Sequence, residues 1–213
     1  TYLVSKLAKK HITVGLTGDG GDEMFCGYNR YLWAPKLLKS LKYYPHFFKK
    51  TLTTLLDSTS VNTQSILYKT ASVFLTKQFQ TSTPIEKIEK IKRSLLLDNE
   101  YDFYNSLESI WFENNPCLNF INKNEINRKK MFSNYSGDFL EKMVLSDINN
   151  YLLDDILVKV DRAAMANSLE TRLPFLNHNL CDFSLSLPDE MKIDSQNQKI
   201  ILKDIISKYI PKS

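Results

Sequence analysis

The stretch ITVGLTGDGGDE, residues 12–23, decides the fold of this chain. Its first part, ITVGL at 12–16, is short, uncharged and rich in β-branched residues, and it lies between His11 and a group of glycines. This pattern predicts a buried β-strand. Five of the six glycines lie between Gly15 and Gly27, so the conformationally permissive backbone is concentrated in the loop that follows the strand.

The remainder of the chain shows mainly helical periodicity. Apolar side chains recur at three- and four-residue steps in one segment, namely Leu152, Ile156, Leu157, Val160, Ala163 and Ala164. Charged side chains occupy its other face, namely Asp154, Asp155, Lys159, Asp161 and Arg162. The segment is therefore predicted to be an amphipathic helix. Similar patterns predict helices at 3–9, 35–56, 64–75, 98–113 and near the carboxyl end, around 201–209.

The predicted fold class is thus a mainly α-helical chain with one short strand. A lone strand cannot pair its backbone donors or cover both of its faces. We therefore expect the chain to be a fragment of a larger α/β domain, or to rely on another copy of itself as a homodimer.

Composition excludes several classes of protein. The chain has 213 residues, 43% of them apolar, which is ordinary for a globular protein with a core. No run approaches the ~20 apolar residues of a membrane span, and residues 1–6 lack the apolar core typical of a signal peptide. Three widely spaced cysteines and three scattered histidines provide neither a disulfide framework nor a metal motif. We expect a cytoplasmic protein without a membrane partner.

The loop after the strand combines glycines with acids. Gly18, Gly20 and Gly21 allow close approach of a ligand, and their amides can face an anion. Bare phosphate would be repelled by the neighbouring carboxylates, but a divalent cation between them reconciles the two, because Mg²⁺ is held by one or two carboxylates with waters and phosphate oxygens. Asp22 is the candidate ligand, which leaves Asp19 for another role. The alternative is structural: Asp22 or Glu23 caps the next helix, predicted at 24–31, and Asp19 tightens a turn.

Two later segments also carry charge. Residues 154–176 are dense in charge on a predicted helix that stops before Pro174. A salt-bridged frame beneath a site is one interpretation and a solvated face is the other; the residues concerned are Lys159, Asp161, Arg162, Glu170 and Arg172. Near the carboxyl end, Asn197 is a predicted N-cap that places Lys199 in the first helical turn, where a lysine is favourable beside a bound anion.

Together these segments resemble the synthetase domain of glutamine-hydrolysing asparagine synthetases, particularly bacterial versions from polysaccharide gene contexts. The family pattern S-G-D-G-G-D-E-x-F-x-G-Y-x-R-Y is matched at 17–31. The pattern D-x-L-x-K-x-D-R-x-x-M-x-x-x-x-E-x-R-x-P-F-L is matched at 155–176, S-L-P at 186–188, and the lysine helix at 199–203. The resemblance implies an active-site segment at 1–31, a helical insertion at 32–150 and a second helical region at 151–213.

The resemblance also implies an ATP-pyrophosphatase-type fold, that of the adenine nucleotide alpha-hydrolase-like proteins. ATP would adenylate the side-chain carboxylate of aspartate, and ammonia from glutamine would attack the adenylate. By motif position, Asp22 resembles the magnesium ligand, Asp19 the residue that orients substrate or acts as base, and Lys199 the lysine that stabilises phosphate charge. Thr17, Gly18, Asp19, Gly20 and Gly21 would line the nucleotide or intermediate.

The departures from the family pattern are informative. Thr17 replaces the usual Ser, Cys26 stands where Gly is common, the glycine before Lys199 is missing, and Lys203 replaces Arg. The family's S-G-G-x-D-S phosphate loop and its glutaminase cysteine are also absent from the sequence. We therefore expect this polypeptide to be a carboxyl-terminal portion without synthetase activity of its own, whose partners are the glutaminase and ATP-loop portions.

Two alternatives remain open at this stage. An amide-forming synthetase with another acceptor, such as a uronic acid or a β-lactam precursor, would share the adenylation chemistry. A nucleic-acid-binding module is suggested by five lysines, no acid and the aromatic run YYPHFF between Arg30 and Lys50. The net charge of only +4 and the expectation that these aromatics pack in a core disfavour it, so no nucleic-acid partner is predicted.

Overall fold

The computed structural model describes residues 1–60, 63, 84–108 and 123–210. The chain divides into two compact units: the first comprises Thr1–Leu32 and Ser136–Ser213, and the second comprises Trp33–Tyr135. In the described part of the chain no helix is both long enough and apolar enough to cross a membrane.

The first unit contains both described strands and most of the sequence motifs. In chain order it has α1 (Tyr2–Ala8), β1 (Val14–Leu16), α2 (Gly21–Met24), the start of α3 (Asn29–Tyr43), α8 (Phe139–Ser146), a π-helix (Asp147–Leu157), α9 (Val158–Met165), β2 (Glu170–Arg172), a 3₁₀ turn (Pro174–Leu176), α10 (His178–Ser186), α11 (Asp189–Lys192) and α12 (Ile200–Ile206). The elements between these belong to the second unit.

The two strands form a parallel pair in which Gly15 lies opposite Thr171. The prediction of a single strand is therefore wrong. The second strand, β2, was missed because it is only three residues long and its Glu-Thr-Arg sequence has no apolar alternation. The prediction that β1 is buried is also wrong for this chain, since Val14 is 38% and Leu16 is 74% exposed. One partner strand thus lies within the chain, and the side chains of β1 remain largely uncovered by it.

The core of the first unit joins the glycine loop to the two later motifs. Met24, Phe25 and Leu152 are buried together, and partly buried side chains pack on them, including Phe175, Leu176, Ile201 and Leu202. The rings of Phe25 and Phe175 meet edge to face with centroids 5.9 Å apart, a favoured aromatic geometry. This packing brings residues from both ends of the sequence to one place.

The helix predicted from residue 152 is confirmed in its amphipathic character but not in its extent. Leu152, Val160 and Ala164 are buried, and the charged residues named above for the opposite face are exposed. The helical stretch starts earlier, as the π-helix, and ends at Met165, well before Pro174. Ser168 then adopts a left-handed conformation with φ 56°, and the chain enters β2.

The second unit is helical in its described residues. It contains the rest of α3, then α4 (His46–Ser58), α5 (Pro84–Leu95), α6 (Glu100–Glu108) and α7 (Lys123–Asn134). The helix predicted at 35–56 is broken at residues 44–45, where Pro45 precedes α4. The predicted helix at 98–113 is confirmed over α6, whereas residues 109–113 and the helix predicted at 64–75 lie outside the described residues.

The aromatic run at the break in the second unit is exposed, which contradicts the expectation that it packs in a core. Tyr43 is 78%, Tyr44 51%, Phe47 80% and Phe48 52% exposed. Tyr44 and Phe48 stack on each other with ring centroids 5.3 Å apart. The described core of this unit uses other aromatics, among them Tyr101, whose ring meets that of Phe132 at 5.6 Å.

Candidate functional site

The glycine loop continues directly from the strand pair. The Thr17 amide donates to the Arg172 carbonyl at 2.9 Å, which extends the β ladder by one bond into the loop. Gly20 then takes φ 86° as the residue that caps α2, a left-handed conformation that favours glycine. The loop therefore turns sharply beyond the carboxyl end of β1, where ligands bind in α/β proteins.

Two of the loop glycines pack closely against the 3₁₀ turn. A Cβ on Gly20 would lie 2.9 Å from Leu176 Cγ, and one on Gly21 would lie 3.2 Å from Phe175 Cδ2. A Cβ on Gly18, in contrast, would meet no atom within 4 Å, and Gly18 is exposed. Gly18 is therefore the loop residue whose backbone is most open to a ligand.

Asp22 and Lys199 meet in an ion pair. Lys199 Nζ lies 2.8 Å from Asp22 Oδ1, with the two side chains 33% and 41% exposed. The Asp22 carbonyl also accepts from the Gly27 amide at 2.7 Å. The structure thus brings together the predicted metal ligand and the predicted phosphate-binding lysine, which are far apart in sequence.

The helix start at Lys199 differs from the prediction. Lys199 itself precedes α12 as its N-cap residue, with left-handed φ 53° and ψ 41°, so it does not lie in the first helical turn. Asn197 is not the N-cap: its amide donates instead to Asp194 Oδ1 at 2.7 Å. The Asn197 side chain also donates to Asp194, and these bonds hold the pKa of the Asp194 carboxyl below its usual value.

Asp19 and Thr17 lie in the same loop but take no part in the Asp22–Lys199 ion pair. Asp19 is half-buried, and within the described ranges no ion pair or side-chain hydrogen bond engages it. Thr17 Oγ1 is buried and lacks a hydrogen-bond partner among the residues described. A buried hydroxyl without a partner is costly, so Thr17 has an unused donor and acceptor at the loop.

Glu23 and Tyr28 form a buried support behind the loop that the sequence did not reveal. The Tyr28 hydroxyl donates to Glu23 Oε1 at 2.7 Å, and Glu23 is 1% exposed. Burial raises the pKa of the Glu23 carboxyl, and the bond from Tyr28 partly opposes that rise. The helix predicted at 24–31 is wrong in its bounds, because α2 spans Gly21–Met24 and α3 starts at Asn29. The alternative in which Asp22 or Glu23 caps it is also wrong, since both lie inside α2, whose N-cap is Gly20 without a side-chain hydrogen bond.

A second support links α3 to the π-helix. Asp147 is fully buried, and its Oδ2 accepts from Arg30 Nε at 3.3 Å and from the Tyr31 hydroxyl. Arg30 Nη2 lies 2.8 Å from the same oxygen as an ion pair. Arg30 also lies over the Tyr28 ring, 4.2 Å from its centroid, as in a cation–π contact. The G-Y-x-R-Y pattern marked Tyr28, Arg30 and Tyr31 in the sequence, but no pattern pointed to Asp147.

The charged residues of the later segment do not build a frame beneath this site. Glu170 and Arg172 pair with each other at 2.7 Å in solvent, and Lys159 lies 4.0 Å from Asp155. Asp161 and Arg162 are exposed. The solvated-face interpretation is therefore the correct one for these side chains.

Comparisons with known proteins show the family of this chain. The family model described as asparagine synthase matches residues 1–213. The chain belongs to the asparagine synthase family. It is 31% identical over 212 residues to asparagine synthetase [glutamine-hydrolyzing] 1 of Bacillus subtilis, covering 99% of this chain and 30% of that protein. It is 40% identical over 65 residues to the Homo sapiens asparagine synthetase [glutamine-hydrolyzing], covering 29% of this chain and 11% of that protein.

The chain thus spans about a third of the length of the Bacillus subtilis relative. No solved structure matches it. Family membership confirms the resemblance drawn from the sequence motifs.

A magnesium ion would find one candidate carboxylate at this site, that of Asp22. In the part of the chain that is described, no three His, Cys, Asp or Glu side chains cluster as a metal site. Asp22 offers one accessible carboxylate, which fits an ion held mainly by phosphate oxygens and waters, as Mg²⁺ commonly is beside a nucleotide. The residues therefore fit a magnesium ion that arrives with its nucleotide, and do not fit a preformed protein cage.

Proposed function

We propose that this chain is the synthetase part of an asparagine synthase (glutamine-hydrolysing)-type ligase with an ATP-pyrophosphatase-like fold. A carboxylate oxygen of aspartate would attack the α-phosphorus of ATP, and the bond to pyrophosphate would break. Ammonia would then attack the carbonyl carbon of the β-aspartyl adenylate, releasing AMP and a proton to give asparagine. The Asp22–Lys199 ion pair beside the glycine loop is the observation that carries this proposal.

The ion pair supports phosphate chemistry because of where its charges lie. Lys199 brings a cation to the open side of a loop whose own side chains are acidic, and its Nζ is already within 2.8 Å of the carboxylate that would hold a metal. Lysine stabilises the negative charge that develops on a leaving pyrophosphate. A magnesium ion at Asp22 would neutralise further phosphate charge when bound with the nucleotide.

The loop residues supply the remaining contacts of the proposal. Gly18 exposes its backbone to the ligand, while Gly20 and Gly21 shape the turn, and the unpartnered Thr17 hydroxyl is free to bond with substrate. Asp19 is proposed to orient the substrate or to accept a proton from the attacking ammonia. Its lack of an ion pair is consistent with a residue that acts on a ligand.

The proposed substrates and partners follow from the family. Aspartate or a related carboxylate, ATP and ammonia from glutamine are the reactants, and glutaminase and ATP-loop portions are the expected partners. A uronic acid or a β-lactam precursor is the alternative acceptor, because a pocket for either would share the same adenylation step.

The test uses the natural protein that carries this sequence. Purified enzyme with ATP, Mg²⁺, aspartate and ammonium chloride should release pyrophosphate and AMP in step with asparagine, and a panel of other carboxylates identifies the acceptor if aspartate fails. Asp22→Asn should lower the rate of pyrophosphate release by about 10²-fold or more. Asp155→Asn is the matched control and should leave the rate unchanged. Carboxylate-independent ATP hydrolysis, or full activity of Asp22→Asn, would overturn the proposal.

A second candidate function is favoured by the exposed aromatic run of the second unit. Tyr44 and Phe48 present a stacked aromatic pair in a stretch with four exposed lysines and no acid, and such surfaces bind single-stranded nucleic acid. The fifth lysine, Lys49, is buried and pairs with Asp98. Fluorescence anisotropy with a labelled oligonucleotide tests it. Affinity that falls with salt and with Phe48→Ala would support nucleic-acid binding, and absence of binding at low salt would remove it.

A further inference from the structure

Gly27 occupies the space in which the Asp22–Lys199 ion pair forms. A Cβ built on Gly27 would overlap Asp22 Oδ1 and Lys199 Cε, and it would lie 2.9 Å from Asp22 Cγ. All three distances are below 3.0 Å, a separation that real Cβ atoms essentially never show. The Asp22 and Lys199 side chains therefore occupy the position at Gly27 where any other residue would carry its Cβ.

Backbone conformation does not explain this glycine. Gly20 is the glycine with positive φ in the described part of the chain, and Gly27 does not have one. The residue with left-handed backbone at this bend is its neighbour Cys26, with φ 54°. A glycine chosen for conformational freedom would stand at position 26. At position 27 it provides space instead.

The Gly27 amide adds a second link to the same carboxylate residue. It donates to the Asp22 carbonyl at 2.7 Å, so the backbone at 27 is fixed relative to Asp22 and cannot easily withdraw to accommodate a larger side chain. Lys199, the other partner, is the N-cap residue of α12 and has a left-handed backbone. The two partners therefore meet across Gly27 from two different elements, α2 and the start of α12.

We propose that Gly27 is a positioning residue that sets the geometry of Lys199 against Asp22. This inference rests on the proposed function for its catalytic consequence, since Gly27 touches the two side chains and no substrate. Adding one methyl group at position 27 would displace the Lys199 stem or turn the Asp22 carboxylate aside. The expected result is a loss of kcat for pyrophosphate release with little change in the KM for aspartate.

The kinetic test compares the effect of Gly27→Ala in two backgrounds. In the natural protein Gly27→Ala should lower kcat by about tenfold or more, since misplacing a group near the chemistry has effects of this order. In an Asp22→Ala/Lys199→Ala background the same change should lower the residual kcat by less than about twofold, because both side chains that the new Cβ would displace are already gone. Equal losses in both backgrounds would show a role in folding only and would overturn the proposal.

A second readout does not depend on activity. Acetylation of Lys199 by a limiting amine-reactive reagent, followed by peptide mass spectrometry, reports whether its ammonium is paired. Gly27→Ala should raise this rate by about two- to fivefold, the worth of a partly exposed ion pair. Gly15→Ala is the matched control, because a Cβ there meets Ile12 Cδ1 at an ordinary 3.6 Å, and it should leave the rate unchanged.

The two readouts separate the inference from the proposed function. If the natural protein releases no pyrophosphate but Lys199 acetylation responds as expected, the proposed function fails and the positioning by Gly27 stands. If Gly27→Ala does not fold, the Gly27→Ala/Asp22→Ala/Lys199→Ala triple variant should restore folding, because both overlapping side chains are removed. A triple variant that also fails to fold, or an unchanged acetylation rate in folded Gly27→Ala, would refute the role assigned to Gly27.

Discussion

Replacing Asp147 with Asn tests the buried support that joins α3 to the π-helix. Asp147 is 0% exposed, and its Oδ2 holds Arg30 Nη2 at 2.8 Å. Removing one partner of a buried ion pair costs about 3–5 kcal/mol. The Arg30 side chain is 19% exposed and so recovers some hydration, and Asn still accepts from Tyr31. We therefore expect Asp147→Asn to lower the free energy of unfolding by about 2–3 kcal/mol.

The assay is urea denaturation followed by far-ultraviolet circular dichroism. Asp155→Asn is the control, because Asp155 lies in the same π-helix but is half-exposed and only 4.0 Å from Lys159. This control should change the free energy of unfolding by less than about 0.5 kcal/mol. If Asp147→Asn were as stable as Asp155→Asn, the pair would contribute nothing and the interpretation of the G-Y-x-R-Y pattern as a structural anchor would be wrong.

Three further perturbations have defined outcomes. Burial raises the pKa of Glu23, so the folded state binds the Glu23 proton more tightly than the unfolded chain does. The stability that protonated Glu23 contributes is therefore present at low pH. It is lost as the pH rises from about 4.5 through the raised pKa. Glu23→Gln should therefore gain stability relative to the natural protein between pH 4.5 and pH 7.5 in urea titrations, and an equal difference at both pH values would contradict this. Burial raises the pKa of the Cys26 thiol to about 12, so iodoacetamide at pH 8 should alkylate it at least about a hundredfold more slowly in native than in urea-unfolded protein; comparable rates would place Cys26 outside the core. Gly20→Ala should lower the free energy of unfolding by about 1–3 kcal/mol, and with it the thermal midpoint, because Gly20 has a positive φ and a Cβ there would contact Leu176. Gly18→Ala should lower both much less. The reverse order would be inconsistent with the loop geometry.

The strand and the loop were predictable because their causes are local. A short β-branched run followed by clustered glycines has few other solutions, and the structure has β1 and the left-handed Gly20 within that stretch. The second strand escaped prediction because Glu170–Arg172 has strand geometry through pairing with β1, not through its own apolar alternation. Propensity says little about so short an element when a tertiary contact determines it.

Long-range pairs were harder to predict for the same reason. The family pattern drew attention to Asp22 and Lys199 separately, but physical reasoning on the sequence placed Lys199 inside a helix, whereas it precedes α12 in a left-handed conformation. Asp147 carries no local pattern at all, since its partners Arg30 and Tyr31 lie more than a hundred positions earlier. Aromatic residues were assigned to a core by type, yet Phe47 at the Pro45 break is 80% exposed.

The most direct test of the central claim is a double-mutant cycle on Asp22 and Lys199, read as single-turnover pyrophosphate release with saturating ATP, Mg²⁺ and acceptor. If the two residues act as one unit on the phosphates, Asp22→Asn and Lys199→Met should each lower the rate by about 10²-fold or more, and the double variant should be only slightly slower than the worse single variant. Losses below about threefold in either single variant, or losses that simply multiply in the double variant, would contradict the account.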